Sequence, residues 1–371
     1  ARMHPLTARR ALAALALAPG AVVLDPFCGS GTVLVEGVRA GLRAIGGDLS
    51  PLAVEIAYAR TWSAPAARRR ALVATSRRIG ALVVAEGKAA RRSGYETEPL
   101  PAEPARARAL SGWFDPHVRR ELEALAAAIR VEADEDMGRI LRMVLSSILI
   151  KVSRRESDTS AKVVRRTIGR GAAARWFAAR AEELARGLDA LSRQAPRGTP
   201  PVEIRLGDAK TLAHLPIAEG AVAAIVSSPP YAGTYDYADH HALRMAFLGL
   251  EDQAFLAGEM GARRRFGGGA AEVAAALARW DRDLGQVLAT MARVLTKGGH
   301  AVLLLGDSLA GGQGRAGVAV FAADAVRRLA AAAGLHVVAG AAQEREALGA
   351  AERAAFAQRP KQEQLIWLVR E

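Results

Sequence analysis

The apolar and polar positions divide the chain into three stretches. From residue 8 to 17, "ARRALAALAL" repeats small and apolar residues at helical spacing, and "AVVL" at 21–24 is apolar on both faces, as a buried strand is. Two glycines follow, and 31–40 resumes a helical pattern. "RAIGGDLSP" reads as a second strand ending at Asp48, with Ser50 as cap and Pro51 in the first turn of the next helix. A β-α-β-α start of this kind opens a doubly wound sheet.

The alternation then stops. Residues 65–197 contain no convincing strand and read as helices over 66–92, 116–130, 136–151 and 172–194. A Pro-rich linker, "TEPLPAEPAR", follows the first, and a polar basic stretch, "RRESDTSAKVVRRTIGRG", precedes the last. From residue 202 the α/β rhythm returns with "VEIRLGDA", "AVAAIVSSPPY", a long helix ending at "RVLTKGGHAVLLLGD", and another near 321–333. Two closing strands, "LHVVAG" and "EQLIWLV", predict an antiparallel pair at the sheet edge, while "RRRFGGGAAE" and "GDSLAGGQGRAG" read as mobile loops. The expected class is α/β, a mostly parallel doubly wound sheet with an antiparallel edge strand. It is formed by residues 1–61 and 201–371, with residues 62–200 as an inserted all-α domain.

Composition narrows the picture. With 371 residues and 51% apolar positions the chain can bury a substantial core. Its single cysteine, Cys28, excludes an intramolecular disulfide, so the cytoplasm is the expected compartment. Arg9-Arg10 followed by "ALAALALAPGA" imitates a signal peptide, but cleavage there would strip the helix expected to cover the strand "AVVL". No apolar run approaches the ~18 residues of a membrane span. The net charge is +13, and residues 62–200 contribute +11 of it, with 27 Lys and Arg against 16 Asp and Glu. That concentration predicts an acidic partner, most simply a phosphate backbone, in preference to a solvated helical face. Arg154, Arg155, Lys162, Arg165, Arg166 and Arg170 lie closest together and are the expected nucleic-acid contacts.

Two short motifs carry the chemistry. "DPFCGSGT", residues 25–32, puts two glycines between a strand and a helix, so backbone can approach a ligand while helix amides face it. It lacks the Gly-Lys-Ser/Thr ending of a P-loop, which argues against nucleoside triphosphate hydrolysis. Asp48, seventeen residues after Gly31 and at the end of the next strand, suits ribose hydroxyls, or alternatively a helix cap. The second motif is Ser228-Pro229-Pro230-Tyr231, directly after the apolar run 221–226.

Together these motifs resemble the class I S-adenosylmethionine-dependent methyltransferases with a Rossmann-like sheet, specifically the group that methylates exocyclic amino nitrogens of nucleobases. The resemblance covers about residues 1–58 and 202–371 and omits the helical insertion. It implies that Asp25, Phe27, Gly29, Ser30, Gly31 and Thr32 cradle S-adenosyl-L-methionine. It implies also that Asp48 holds the ribose, that Asp208 in "GDA" lies near the adenine, and that "ARMHP" covers the methionine end. Ser228, Pro229, Pro230 and Tyr231 are then the catalytic set. The Ser228 hydroxyl and Pro229 carbonyl accept the hydrogens of an aromatic amine, and Tyr231 offers a face for a flipped base. Proline fixes that carbonyl, since its φ is locked and its nitrogen has no hydrogen. Serine at the first position points to cytosine N4 in DNA, with a tRNA or rRNA amino-methyltransferase as the alternative. A nucleic-acid-binding protein that keeps the cofactor fold without turnover is the reading from another class. The insertion precedes "GDA" rather than following it, a departure from the usual order of the DNA enzymes. No metal is expected, because no His/Cys cluster has zinc spacing. His240-His241 read as structural or base-contacting, Tyr235, Asp236 and Tyr237 as pocket-lining or as a helix cap, and Cys28 as a small buried residue.

Overall fold

The computed structural model of the chain describes residues 3–92, 110, 112–132, 134–160, 162–251, 253–311 and 317–371. The Pro-rich linker at 97–106 and residues 312–316 lie outside the described residues. The first elements are α1 (Pro5–Ala14), β1 (Val22–Asp25), α2 (Thr32–Arg39), β2 (Arg43–Asp48) and α3 (Pro51–Arg60). Among the described residues four further helices follow, α4 (Ala66–Arg92), α5 (Pro116–Arg130), α6 (Glu135–Ile148) and α7 (Ala172–Gln194). Next come β3 (Glu203–Leu206), β4 (Val222–Ser227), α8 (Tyr237–Leu248), α9 (Gln253–Gly258) and α10 (Ala270–Val294). The chain closes with β5 (Leu295–Gly306), β6 (Ser308–Ala310), β7 (Val318–Val320), α11 (Ala322–Ala332), β8 (Leu335–Glu344), α12 (Gly349–Ala355) and β9 (Gln362–Arg370).

Seven strands form one sheet in the order β3-β2-β1-β4-β5-β9-β8. The first five pair in parallel, and β9 runs antiparallel to both β5 and β8. The expected closing pair is therefore present, with β8 at the edge. Strand order reverses between β1 and β4, which makes that junction the switch point of the doubly wound sheet.

Successive strand residues supply two separate cores, as the pleat demands. Leu24, Ile45, Ile225 and Leu303 face α10 and α11, while Val23, Ala44, Ala224, Val226 and Val302 face α1 and α2. Each fully buried aliphatic side chain contributes about 1.5–3 kcal/mol. The helix α1 starts where Pro5 has no amide hydrogen to satisfy and His4 Nδ1 accepts the Leu6 N–H at 3.2 Å. It is tied to α2 through buried Glu36, which receives Arg9 Nε at 2.9 Å and the Arg39 guanidinium.

The chain divides into two compact units. The first comprises Ala1–Ala57, Ala195–Ala238 and Gln253–Glu371, and the second Tyr58–Gln194 with Asp239–Asp252. In the second, α4 to α7 pack around Leu72, Ile79, Leu122, Leu125, Leu141 and Phe177. Gly80 lets α4 approach α7 closely, since a Cβ there would lie 3.3 Å from the Ala174 carbonyl oxygen. Ion pairs such as Arg69–Asp189 and Arg77–Glu182 border that contact. The sequence reading extends α6 to residue 151, whereas the helix ends at Ile148. Among the described residues no helix is long and apolar enough to cross a membrane.

Two segments expected to be mobile loops contain or border ordered elements among the described residues. Arg263–Phe266 forms a 3₁₀ turn and Ala270–Glu272 already belongs to α10, whose Glu272 bonds the Gly269 N–H at 2.6 Å. Ser308–Ala310 and Val318–Val320 pair as β6 and β7. Glycine content signalled irregular backbone at both places, but tertiary hydrogen bonds and strand pairing order them.

Candidate active site

Asp25 closes β1 and Ser227 closes β4, and a 2.6 Å hydrogen bond from the Ser227 hydroxyl to Asp25 Oδ1 joins the two strand ends. The same oxygen accepts the Phe27 N–H at 3.2 Å. From this joint the two motifs diverge. Residues 27–31 turn toward β2, where the Cys28 N–H donates to the Gly47 carbonyl at 2.9 Å and the Gly29 N–H to Asp48 Oδ2 at 2.8 Å. The other Asp48 oxygen accepts the Ser50 N–H at 2.8 Å, so Asp48 both caps α3 and ties down the glycine loop. Asp208 follows β3 and accepts the Lys210 N–H at 2.8 Å, while the Gly207 N–H donates to the Asp48 carbonyl at 2.9 Å. The carboxyl ends of β1, β2, β3 and β4 are thus bonded to one another along one edge.

Glycine is required at two positions in this loop. Gly29 and Gly31 have φ of +49° and +74°, where a side chain is strained. A Cβ on Gly31 would also come within 3.1 Å of the Ala57 side chain. At Gly29 the nearest atom to an added Cβ is 3.9 Å away, so that face of the loop is open. Thr32, at the start of α2, has a buried hydroxyl with no hydrogen-bond partner among the described residues. An open loop, amides at a helix start, an orphaned hydroxyl and a carboxylate at the next strand end fit a ligand with an amino-acid part and a ribose.

Burial sets the electrostatics. Asp25 is 3% exposed, and its carboxyl is pushed up to about 7 by desolvation, against the Ser227 and Phe27 hydrogen bonds. Asp48 is pushed up to about 6 by desolvation, against the amides of Ser50, Gly29 and Leu49. The Cys28 thiol is raised well above its ordinary range by burial and by both carboxylates, so it stays protonated and is no nucleophile. Between roughly pH 4 and 7 folded Asp25 keeps its proton while the unfolded chain has released its own. Stability therefore falls as pH rises through that window, by up to about 4 kcal/mol. In Asp25→Asn the decline of thermal stability from pH 4.5 to 7.5 is expected to be shallower than in the wild type. Equal slopes by calorimetry would mean that Asp25 titrates normally.

The second motif leaves β4 at Ser228, whose hydroxyl donates to the Leu304 carbonyl at 3.1 Å. The same hydroxyl also hydrogen-bonds the Tyr231 phenol, so its one proton is committed within the protein and its oxygen is left to act as an acceptor. The Pro230 carbonyl accepts the Trp280 indole N–H at 3.1 Å, while no donor among the described residues reaches the Pro229 carbonyl. Tyr231 is 8% exposed, and its hydroxyl lies 3.3 Å from Glu363. Gly306 makes room for the ring, since a Cβ there would sit 2.7 Å from a ring carbon. Tyr235 and Tyr237 follow with ring centroids 5.6 Å apart, and Tyr235 is 42% exposed. Trp280 and buried Glu259, which accepts the Tyr237 N–H at 2.7 Å, belong to this site but carried no local signal in the sequence. Both lie tens of residues away in unremarkable helical surroundings.

The six basic residues lie in the second unit. A small hairpin there pairs Arg155 with Val163. Arg155 packs over the Trp113 ring at 4.4 Å, Lys162 pairs with Glu156 at 3.0 Å, and Arg154 lies 3.7 Å from Asp115. Arg165, Arg166 and Arg170 are exposed, with Arg166 reaching the Ile150 carbonyl at 3.3 Å. His241 is mostly buried and kept neutral, its imidazole pushed down to about 4 by desolvation and then by Arg244 and His240.

Residues 3–94 match the UPF0020 family model, described as RMKL-like, methyltransferase domain. The matched stretch contains the glycine loop and Asp48. No curated protein matches the chain. Solved structures similar to it include TrmN from Thermus thermophilus, at 13% identity and TM-score 0.34, covering 100% of this chain and 49% of that one. A TehB-like SAM-dependent methyltransferase from Corynebacterium glutamicum matches at 13% identity and TM-score 0.34, covering 98% and 87%. Geranyl diphosphate C-methyltransferase from Streptomyces coelicolor matches at 11% identity and TM-score 0.36, covering 99% and 79%. The chain spans about half the length of the TrmN structure. Likeness at these scores has no bearing on the chemistry of the site.

Proposed function

We propose, from the match of residues 3–94 to a methyltransferase family model, that this protein methylates an exocyclic amino nitrogen of a nucleobase, cytosine N4 in DNA. The observation that carries the reading is the Asp25–Ser227 joint, from which the glycine loop and Ser228-Pro229-Pro230-Tyr231 leave adjacent parallel strands. A cofactor site and an acceptor site built on those loops would share one edge of the sheet. Asp25, Phe27, Gly29, Ser30, Gly31, Thr32, Asp48 and Asp208 would hold S-adenosylmethionine, which when bound supplies an electrophilic methyl group on a positive sulfur.

The residues themselves have one task, to make a poor nucleophile better. The lone pair of an aromatic amine is delocalised into its ring. Acceptors at Ser228 Oγ and the Pro229 carbonyl, aimed at the two amine hydrogens, favour a pyramidal nitrogen and free that lone pair. The spent Ser228 proton and the unclaimed Pro229 carbonyl support this role. Trp280 and Gly306 hold the motif from behind, one by a hydrogen bond to the Pro230 carbonyl and one by making room for the Tyr231 ring.

The test is methyl transfer from labelled S-adenosylmethionine to duplex DNA, single-stranded DNA and total RNA from cells lacking the gene, with nucleosides identified by mass spectrometry. N4-methylcytosine in DNA is the expected product. Label only in RNA would move the substrate to tRNA or rRNA, and no label in any acceptor would remove the reading. The basic helical unit is proposed to grip the phosphate backbone. Arg165→Glu, Arg166→Glu and Arg170→Glu together are expected to weaken nucleic-acid binding and to flatten its log–log salt slope by up to about 3. A slope unchanged in a salt titration would reduce that charge to solvation.

A further inference from the structure

We propose that Tyr235, rather than Tyr231, supplies the aromatic face on which the planar acceptor stacks, and that Glu259 is the residue that positions it. This rests on the amino-methyltransferase reading above and deepens its acceptor site. Stacking requires ring area open to the ligand, and the two tyrosines differ sharply there. Tyr231 belongs to the buried core, 8% exposed, with Gly306 against its ring and its hydroxyl engaged with Glu363. Tyr235 is 42% exposed and backed by Tyr237, the ring planes inclined at 39°. The Tyr237 phenol is mostly buried, and its acidity is lowered by burial and by the nearby charges of Tyr235, Asp48 and Glu259. It is therefore near both the acid proposed for the ribose and the exposed tyrosine.

An exposed tyrosine alone would be ordinary. What separates this one is the segment that holds it. Residues 258–265 run alongside the loop 231–237 and bond to it repeatedly. The Gly233 N–H donates to the Gly261 carbonyl at 2.9 Å and the Arg263 N–H to the Tyr235 carbonyl at 3.1 Å. The Arg264 N–H donates to Asp236 Oδ1 at 2.9 Å, and its guanidinium reaches both Asp236 at 3.2 Å and Glu259 Oε2 at 2.5 Å. Glu259, 3% exposed, closes the set by accepting the Tyr237 N–H at 2.7 Å. Gly261 cannot be larger, because a Cβ would meet the Tyr231 carbonyl oxygen at 2.6 Å. Gly258 packs on Leu49, the neighbour of Asp48, with an added Cβ only 2.7 Å from its side chain. The segment is a splint between the end of β2 and the aromatic pair. A buried carboxylate satisfied by one backbone amide and one arginine is an expensive way to make a loop and a precise way to aim one.

The experiment is steady-state methyl transfer to the nucleic acid that the wild type labels, with S-adenosylhomocysteine affinity measured by calorimetry on the same proteins. Tyr235→Phe, which keeps the ring face, is expected to recover most of the loss seen when the ring is removed. Tyr235→Leu and Tyr235→Ala are expected to raise the acceptor KM roughly 5- to 150-fold, with cofactor affinity unchanged. Glu259→Ala should raise the same KM, and combined with Tyr235→Ala should add little, because both remove one platform. Glu259→Gln, which keeps an acceptor for the Tyr237 N–H, should recover part of the loss. An acceptor KM unmoved by Tyr235→Ala and Tyr235→Leu in an enzyme that still methylates nucleic acid overturns this assignment alone. A wild-type protein that methylates no nucleic acid overturns the underlying reading and this assignment with it.

Discussion

Ser228→Ala is expected to lower methyl transfer by roughly 10²- to 10³-fold and to leave cofactor affinity within about twofold. The hydroxyl sits directly beyond β4 and donates its proton to the Leu304 carbonyl, so its oxygen is oriented as an acceptor before any ligand arrives. A preoriented acceptor costs no reorganisation when charge develops on the amine nitrogen, and alanine removes it outright. The structural loss is small by comparison, one hydrogen bond of about 1 kcal/mol. Single-turnover rates and calorimetry with S-adenosylhomocysteine separate the two effects. An unchanged rate would take Ser228 out of the chemistry, and a lost cofactor affinity would reassign it to the cofactor site. A binding protein without turnover would show no transfer from either form.

Asp48→Asn is expected to weaken S-adenosylmethionine binding by roughly 10²-fold or more. Both carboxylate oxygens already accept backbone amides, from Gly29 and from Ser50. An amide side chain can replace only one of them, since its NH₂ would face an N–H. One donor is left unpaired at about 1–3 kcal/mol, the glycine loop loses its tether, and charged acceptors for the ribose hydroxyls go too. The pH dependence distinguishes this from a general loss of fold. Wild-type Asp48 is pushed up to about 6 by burial, so protonation below that pH should cost the wild type close to tenfold in affinity per unit. The Asn variant should be flat over the same range. Calorimetric titrations at pH 5, 6 and 7.5 that gave parallel curves for both proteins would sink the assignment.

Much of the fold was legible in local pattern. The strands before Asp25, Asp48 and Ser228, the helices after Gly31 and Pro51, and the long helices α4 and α7 all follow from periodicity, caps and glycines close in sequence. The misread segments share a cause. "RRRFGGGAAE" is glycine-rich and polar, yet Arg264 bonds Asp236, Glu259 and the Leu256 carbonyl, and those partners order it. Residues 308–310 and 318–320 are too short to show a strand period, but each finds the other. The candidate site divides the same way. Gly29, Gly31, Asp48 and Ser228–Tyr231 were visible because backbone conformation and proline chemistry leave a mark within a few residues. Trp280, Glu259 and Gly306 left none.

The order of elements, the switch-point sheet and the residue types at its loops follow from chemistry that acts within one or two turns of chain: φ at glycine, the missing amide of proline, the period of a pleat. Which tyrosine is open to a ligand does not. Tyr231 and Tyr235 are four residues apart in one loop, and nothing local marks one for the core and the other for solvent. Gly306 on β5 and Glu363 on β9 draw the first inward, and the splint of Glu259 and Arg264 holds the second outward. The buried state of Asp25 is equally tertiary, because β2 and β4 flank β1 on either side and its hydrogen-bond partner Ser227 lies 202 positions away. Burial is a property of what surrounds a residue, and for this site the surroundings come from strands and helices distant in sequence that only the folded sheet brings together.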